Sequence, residues 1–457
     1  MRSTALVFAT AAFCAACGGG DGATSDAGGD DQPPQDGMQS MADGPPPGTP
    51  LVDRITVSTV TAPSGVMAGD SNYRVWGRQS LRVAPVFTVP LANCGTLVGY
   101  TTGTAQSPMA RVAKLDVNDQ LVATYDIGAF VLRGLAAEPG GHFGALLWDS
   151  AATTKTIKLS RFDANGANKR DSPITDAAWS PTDFGIGESR LEFGDGKYGA
   201  YFHVHGVSGM VSGHEGDSLK WIDAATGTVS NGWTWGCSHS MSDLLRYEPT
   251  SKKFLSACVT DCFPGTQGTD FANGSIGGIY LDHARKVVDV NGGCNGSVAG
   301  ELGGMAPVAS GWKLVFNAHQ NAATLGQSSY NASSMNQDIG FSSIGINGVP
   351  GAVTWLTATP GNEANAVIAA WTGDGAEEYV IGWAEVAGNN RTYKLGRFSP
   401  TGGLVYAPAD VTAMVKWGER DDSFRSTPSG DIVWAWFEQG SATSFKLGRI
   451  RGNGSCN

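Results

Sequence analysis

The chain has little positive charge. Its 457 residues include 31 Lys and Arg against 42 Asp and Glu, and the formal net charge is −11. Residues 18–50 contain six Asp and no Lys or Arg, so that, with Arg2 set aside, residues 51–457 carry a net charge of −6. A domain with this balance has no electrostatic basis for binding a polyanion, which excludes nucleic acid as a partner.

Long hydrophobic runs are also absent. The apolar run near the N-terminus extends from Thr4 to Phe13 and follows Arg2. It is too short to span a bilayer, but a basic start, about ten apolar residues and small residues before a cleavage point are typical of an export signal. Because the run has no amphipathic period, it predicts a signal peptide over residues 1–16 rather than a buried helix.

The leader ends in Cys14-Ala15-Ala16-Cys17, and this segment resembles the lipobox of bacterial lipoproteins. The resemblance implies a lipidated Cys17, whose two or more acyl chains suffice for stable anchoring to a membrane. Gly18 follows, so the aspartate linked with inner-membrane retention in some bacteria is absent. We therefore expect a lipid-anchored protein of the cell envelope, at the outer membrane on its periplasmic or surface side, with plain secretion as the alternative.

A segment unsuited to folding follows the leader. Residues 18–50 contain nine Gly, six Pro and the six Asp. This composition buries too little apolar surface to offset the entropy of ordering, and like charges extend the chain. We expect a disordered acidic stalk over residues 17–50.

Six cysteines remain beyond the leader, an even number that favours three disulfides in an oxidising compartment. They are Cys94, Cys237, Cys258, Cys262, Cys294 and Cys456. Sequence allows fifteen pairings. We expect Cys94 to pair with Cys456, because these two lie near the ends of the folded region. The other four lie within one stretch, Cys237 to Cys294.

Helical periodicity is missing from residues 51–457, whereas short alternating runs bounded by Gly, Asn, Asp and Pro recur throughout. A weak repeat is present among them. Residues 381–405 and 432–454 share an apolar strand with Trp, a polar hairpin loop and a strand ending in Leu-x-Arg, and residues 146–166 have the same form. The Leu-x-Arg tripeptides at 395–397 and 447–449 are 52 residues apart.

An antiparallel repeat of about 50 residues is typical of a β-propeller blade. The fold class is therefore all-β, and about 400 residues predict one propeller over residues 51–457 with seven blades, six or eight being allowed. A pair of sandwiches or a parallel β-helix is the alternative. A disulfide between Cys94 and Cys456 would help to close the ring.

Four of the seven histidines, His203, His205, His214 and His239, fall within 37 residues. On a strand, Tyr201, His203 and His205 share one face while Phe202 and Val204 occupy the other. A Gly-rich loop then carries His214, Glu215 and Asp217. This set of donors predicts a site for Zn²⁺, Cu²⁺, Mn²⁺ or Fe²⁺.

The alternative for these histidines is structural. A His between blades often only bonds a carboxylate or the backbone, and Glu215 and Asp217 then close turns. A zinc site that uses Cys237 and His239 is a further alternative, although export favours disulfides.

Other catalytic motifs are missing. The match of residues 194–199 to a dinucleotide fingerprint precedes a strand rather than the required helix, and no GxSxG or HExxH motif occurs. Trp233 and Trp235 lie beside the histidines and predict either a stacking platform for a sugar or peptide, or core packing. Trp383, Trp434 and Trp436 alternate as expected of blade core.

Two classes of function follow. The first is a non-catalytic binding platform that uses the rim or central funnel of the propeller for a protein, peptide or glycan. The second is a metal-dependent lyase or hydrolase in which His203, His205, His214 and His239 bind the metal and Glu215 or Asp217 is the general base. The first is preferred because a propeller fold by itself specifies no chemistry.

Overall fold

The computed structural model is an all-β protein, as predicted. All described residues belong to the second of two units, residues 42–457. The predicted signal peptide and most of the predicted stalk lie outside the described residues. These are 48–61, 86–104, 106–152, 156–174, 179–180, 189–206, 213, 215–237, 242–260, 275–291, 300–321, 336–374, 377–388, 390–417, 422–437, 443–454 and 456.

The first three blades follow an N-terminal strand. A 3₁₀ turn, Leu51–Arg54, leads into β1 (Ile55–Thr61). Blade one comprises β2 (Phe87–Pro90), β3 (Thr96–Thr104), β4 (Ser107–Leu115) and β5 (Leu121–Gly128). Blade two comprises β6 (Val131–Ala137), the 3₁₀ turn Pro139–Gly141, β7 (Phe143–Asp149), β8 (Thr156–Phe162) and β9 (Asn168–Ile174). Blade three comprises β10 (Trp179–Ser180), β11 (Ser189–Gly194), β12 (Lys197–Gly206), β13 (Glu215–Asp223) and β14 (Val229–Gly236).

Four further blades complete the ring. Blade four comprises β15 (Asp243–Glu248), β16 (Lys253–Thr260), β17 (Ser275–Leu281) and β18 (Arg285–Asn291). Blade five comprises β19 (Gly300–Val308), β20 (Gly311–Ala318), β21 (Asp338–Gly345) and β22 (Pro350–Trp355). Blade six comprises β23 (Asn362–Trp371), β24 (Glu378–Ala387), β25 (Asn390–Phe398) and β26 (Leu404–Asp410). Blade seven comprises β27 (Arg425–Ser426), β28 (Ile432–Trp436), β29 (Ser444–Ile450) and β1.

The blades close into a seven-membered ring. Within each blade the strands pair antiparallel in order, except that in blade three β10 and β11 both pair with β12. The first strand of each blade, which in blade three is taken as β11, contacts the first strand of the next, including β27 with β2. Blade seven takes its outermost strand from the N-terminal end of the domain, since β1 pairs with β29 from Ile55 opposite Ile450 to Thr61 opposite Ser444. The predicted seven-bladed propeller is confirmed.

The hydrophobic core lies between neighbouring blades. Alternating strand residues point to opposite sheet faces, so each blade presents apolar side chains to both of its neighbours. Leu146 and Leu159 of blade two pack with Tyr198 and Phe202 of blade three, for example. Trp383, Trp434 and Trp436 are at most 5% exposed, so they are core residues as predicted.

A disulfide joins Cys94 of blade one to Cys456 at the C-terminal end, as predicted. A second disulfide joins Cys237 to Cys258. Cys262 and Cys294 lie outside the described residues, so the third of the expected disulfides stays a prediction.

The arginine of the Leu-x-Arg repeat forms an ion pair in three blades. Arg161, Arg397 and Arg449 are each the penultimate residue of the third strand of their blade. Each guanidinium reaches a carboxylate at the connection between the first and second strands, at distances of 2.6, 2.7 and 2.9 Å. The three carboxylates belong to Glu138, Glu378 and Asp431.

These ion pairs also connect neighbouring blades. Tyr198 of blade three donates a hydrogen bond to Glu138 of blade two, and its ring lies over Gly144, where a Cβ would clash with it. Asp119 of blade one pairs with Arg449 of blade seven. The ion pairs of the repeated arginine therefore connect strands within a blade and also take part in contacts between neighbouring blades.

The two faces of the ring are named here by strand direction. The upper face is where the first strand of each blade begins, and the lower face is where it ends. No helix in the described part of the chain is long and apolar enough to cross a membrane.

Candidate functional site

The predicted histidine strand lies at the interface of blades three and four. Phe202 and Val204 pack toward blade two, whereas Tyr201 packs toward blade four. The strand register places His203 directly opposite Asp217, and His205 opposite Glu215. His203 and Asp217 are both fully buried. The structure therefore brings one predicted histidine and one predicted acid together.

Asp217 is held by neutral donors. The Tyr201 hydroxyl donates to one of its carboxylate oxygens, and Trp233 Nε1 donates to the other over 3.1 Å. Burial raises the pKa of Asp217 to about 7, although these two hydrogen bonds lower it in part. A carboxyl group with such a pKa can exchange a proton near neutral pH.

Further acids surround Tyr201. Burial raises the pKa of the Tyr201 hydroxyl well above its usual value, and the charges of Asp217, Asp243 and Asp282 raise it further. Asp282 accepts hydrogen bonds from Ser256 N and Oγ at 3.1 and 3.2 Å, and burial raises its pKa as well. Tyr201 therefore stays protonated and acts as a donor.

The described residues contain one group of potential metal ligands, which includes the predicted residue Asp217. Ligand atoms of Asp217, Cys237 and Cys258 lie within 4.8 Å of one another, and the described residues contain no other group of three that meets this spacing. The two sulfurs are joined in a disulfide, so they are not thiolate ligands. His214, His239 and the Glu215 side chain lie outside the described residues, and the four-histidine metal site stays a prediction.

The side chains of Trp233 and Trp235 pack in different directions. The register of β14 against β13 shifts between the Asp217 and Leu219 pairs, which marks a bulge. Trp233 packs with Tyr201 toward blade four, whereas Trp235 packs toward blade two. The ring of Trp233 also meets the ring of His283 edge to face at 4.5 Å. The two indoles lie on opposite faces of the sheet rather than side by side.

A second candidate site, not found from the sequence, lies in the central channel. Arg190 of β11 and Arg246 of β15 both pair with Asp422. Glu192, two residues after Arg190 on β11, lies 3.5 Å from Arg246 Nη1 and accepts from Arg425 Nη2 at 3.1 and 3.2 Å. These contacts join blades three, four and seven across the axis.

A pocket of about 350 Å³ opens beside this network. It is lined by the ends of four first strands, β2, β6, β11 and β27, and by the turns that follow, so it lies at the lower mouth of the channel. We call it the lower-mouth pocket. Its polar residues include Glu192 and Arg425, and its apolar walls include Leu91, Ala137 and Phe193.

The sequence carries no local signal for this pocket. Its residues come from four blades, and the segments Phe87–Pro90 and Arg425–Ser426 are too short to show a strand period. A clue is present only in Ser189–Gly194, where Arg190 and Glu192 alternate with apolar residues in a strand otherwise typical of a core.

A pair of acids lies at the upper face between blades five and six. Glu363 is fully buried and accepts hydrogen bonds from Thr357 Oγ1 at 2.8 Å and Thr359 Oγ1 at 2.5 Å. Burial raises the pKa of Glu363 to about 7, and the charge of Asp338 and a hydrogen bond with it act in the same direction. Asp338 is 5% exposed.

The fold places the chain among seven-bladed β-propellers. No protein-family model matches the chain, and no curated protein matches it either. Solved structures similar to it include the polysaccharide lyase Uly1, at 10% identity over 87% of this chain and 99% of that chain, with a TM-score of 0.48. The Dos1 propeller matches at 10% identity over 83% of each chain, with a TM-score of 0.40.

A sialidase of Trypanosoma rangeli is also similar, at 9% identity over 85% of this chain and 75% of that chain, with a TM-score of 0.36. At such identities the similarity concerns the fold alone.

Proposed function

We propose that this protein is an exported binding protein that holds a glycan end in the lower-mouth pocket. A lipid on Cys17 and the stalk of residues 17–50 would present the propeller at a distance from the outer membrane. The observation that supports the proposal is the pocket itself, in which a carboxylate and a guanidinium meet apolar walls.

The pocket has the properties of a small-ligand site. Ligand pockets span about 300–1,000 Å³ and combine mostly apolar walls with a few placed polar groups. Leu91, Ala137 and Phe193 supply apolar surface, and Arg425 and Glu192 supply donors and acceptors. The ion pairs behind Glu192 fix the polar groups in place, so little ordering is required on binding.

A substitution at the rim of the pocket tests this function. Ala92 is exposed and lines the pocket, so Ala92→Trp fills the mouth without disturbing the core. Ala387, exposed at the far end of β24, provides the matched control Ala387→Trp. Binding of neutral and acidic oligosaccharides is measured by calorimetry. We expect Ala92→Trp to weaken binding at least tenfold and Ala387→Trp to leave it unchanged. Equal binding by both variants, or no binding by the unaltered protein, rejects the proposal.

The lipid anchor has its own test. Cys17→Ser should move the protein from the membrane fraction to the soluble fraction of cells that express the full chain. Retention of the Cys17→Ser protein in the membrane fraction would contradict anchoring through this residue.

A metal-dependent lyase or hydrolase is the second candidate. It is supported by the position of His203 opposite Asp217, whose raised pKa suits a general base. His205, His214 and His239 would complete the metal site. The test is metal analysis of residues 51–457 purified without a His tag. A stoichiometric transition metal that is lost in a His203→Ala/His205→Ala variant supports this candidate, and a metal-free protein whose variants lose only stability rejects it.

A further inference from the structure

We propose that Asp217, Cys237 and Cys258 form a redox-controlled zinc site at the interface of blades three and four. In the oxidised chain the two sulfurs form a disulfide, and in the reduced chain they would bind Zn²⁺ as thiolates together with the Asp217 carboxylate. The inference is independent of the lower-mouth pocket. It is supported by the spacing of the three side chains, by their position between two blades and by the donor set they offer.

The three ligand atoms have nearly the spacing that zinc requires. One ligand atom of each residue lies within 4.8 Å of the other two. In a tetrahedral site, Zn–S bonds of about 2.3 Å and Zn–O bonds of about 2.0 Å place neighbouring ligand atoms roughly 3.5–3.8 Å apart. Opening of the S–S bond and small side-chain rotations would therefore suffice to bind the ion. The fourth position would be left for water or another ligand.

Two blades position the three side chains. The register of blade three places Asp217 opposite Gly236, and Cys237 follows directly at the end of β14. Cys258 lies on β16 of blade four and is joined to Cys237 across the interface. A Cβ on Gly236 would clash with the Asp217 carboxylate, so glycine at this position lets the acid lie against the end of β14. A metal bound here would keep the two blades linked when the disulfide is reduced.

The donor set is typical of a thiophilic cation. Thiolate ligands select Zn²⁺ and softer ions over Mg²⁺ and Ca²⁺. All three side chains are fully buried. Among the described residues, Tyr201 donates a hydrogen bond to one oxygen of Asp217 and Trp233 donates to the other, which leaves each oxygen a further lone pair for a metal. These two bonds also orient the carboxylate as a ligand.

A dithiol reductant would convert one state into the other. Its two thiols are oxidised to a disulfide, while the Cys237–Cys258 bond breaks and the two sulfurs take up the two electrons and two protons. Zn²⁺ then binds the sulfurs as thiolates, and their two protons pass to solvent. A disulfide oxidant reverses the sequence: it accepts the two electrons, the Cys237–Cys258 bond forms again and Zn²⁺ is released.

The test is a titration of the full chain with Co²⁺, followed by displacement with Zn²⁺. The chain is used in its oxidised form and in a form reduced with a dithiol and freed of it under nitrogen. Thiolate ligation is read from the charge-transfer absorption of Co²⁺. We expect one such Co²⁺ per reduced chain and none in the oxidised chain. Cys237→Ser/Cys258→Ser should lose this site, whereas Cys94→Ser/Cys456→Ser, which removes the other described disulfide, should retain it.

Asp217→Asn tests the third ligand. Loss of a residue that only orients a metal ligand weakens binding by about 10–100-fold, so loss of a charged ligand should weaken Zn²⁺ binding to the reduced chain by about tenfold or more. Asp282→Asn is the matched control, because it removes another acid near Tyr201 that lies outside the group of three. It should leave the affinity unchanged. Circular dichroism checks that each reduced variant is folded.

Other results would overturn the inference. Co²⁺ binding of equal affinity by the reduced and oxidised chains would do so, and dependence of that binding on His203 and His205 would assign the metal to the histidine site instead. A reduced chain without the thiolate absorption, or an Asp217→Asn variant that binds like the parent, would also contradict the proposed site. If reduction unfolds the chain, Zn²⁺ should restore the fold only when Cys237 and Cys258 are both present, and failure to do so rejects the site.

Discussion

The seam between blades seven and one and the interface between blades three and four both bury charged groups, but they stabilise them differently. At the seam, Arg449 is fully buried and pairs with the carboxylates of Asp119 and Asp431. At the other interface, Asp217 is fully buried, and its hydrogen-bond donors among the described residues are the hydroxyl of Tyr201 and the indole of Trp233.

The pKa values reflect this difference. Burial alone would lower the pKa of Arg449, yet the hydrogen bonds and charges of its two carboxylates raise it, so the group is charged at every working pH. The neutral donors of Asp217 offset its burial only in part, and its pKa rises to about 7. A buried charge with counter-charges therefore makes a permanent structural link, whereas one with neutral donors makes a group that titrates near neutrality.

The largest effect is expected from Arg449→Met. This change leaves Asp119 and Asp431 buried without their cation, and loss of one partner from a buried pair costs about 3–5 kcal/mol. We expect a loss of this size in the free energy of unfolding, measured by denaturant titration. Lys446→Met, on the same strand, is the control and should cost less than about 1 kcal/mol, because within the described residues Lys446 bonds to Thr59 at the surface. Similar losses in both variants would contradict a special role for Arg449.

The two disulfides give the next comparison. Cys94–Cys456 closes a separation of 362 residues and Cys237–Cys258 one of 21. In the chain-entropy model the longer loop constrains the unfolded chain more, by about 2.5 kcal/mol. Replacing both members of each pair with Ser should therefore destabilise the protein more at the seam. Equal losses, measured as unfolding midpoints at matched pH, would show that the seam is held by its strand pairing and ion pairs alone.

Asp217→Asn tests the interface of blades three and four. Because the folded protein binds the Asp217 proton more tightly than the unfolded chain, the stabilisation is complete below about pH 4 and is lost as pH rises to about 7. The slope is at most about 1.4 kcal/mol per pH unit. The variant should lack this contribution, so its stability relative to the parent should rise across that window. The pKa of Glu363 is raised as well, so its contribution to stability also falls as pH rises. The free energy of unfolding of Asp217→Asn/Glu363→Gln should therefore change still less between pH 4 and pH 7. A parallel pH profile for parent and variants would refute both assignments.

The ring itself could be predicted from the sequence because its determinants are local and repeated. The Leu-x-Arg tripeptides mark a recurring strand of the repeat, and alternation predicts that Phe202 and Val204 lie on the opposite face of their strand from Tyr201. The end positions of Cys94 and Cys456 predict their pairing. Each of these inferences needs only strand geometry and chain order.

The sites could be predicted only in part, because they depend on contacts between distant segments. His203 and Asp217 meet since a hairpin joins their strands. Trp233 and Trp235 lie on opposite faces because β14 contains a bulge. Their spacing of two residues would place them on the same face of a regular strand. The lower-mouth pocket requires Arg425 to meet Glu192 from a position 233 residues away, and no local pattern encodes that contact.

The prediction with the smallest expected effect compares Asp217, which has neutral hydrogen-bond donors, with Glu138, which has a cationic one. The Tyr201 hydroxyl lowers the pKa of Asp217, so Tyr201→Phe should raise that pKa and move the upper end of the pH-dependent window above about 7, at a cost of about 1 kcal/mol. Tyr198→Phe is the matched control. Burial raises the pKa of Glu138, but the bonds from Arg161 and Tyr198 outweigh it and the pKa is lowered. With Arg161 still in place, loss of the Tyr198 hydroxyl should leave the profile near pH 7 unchanged. If Tyr198→Phe shifts this window as far as Tyr201→Phe does, counter-charge is not what separates the pKa of Glu138 from that of Asp217.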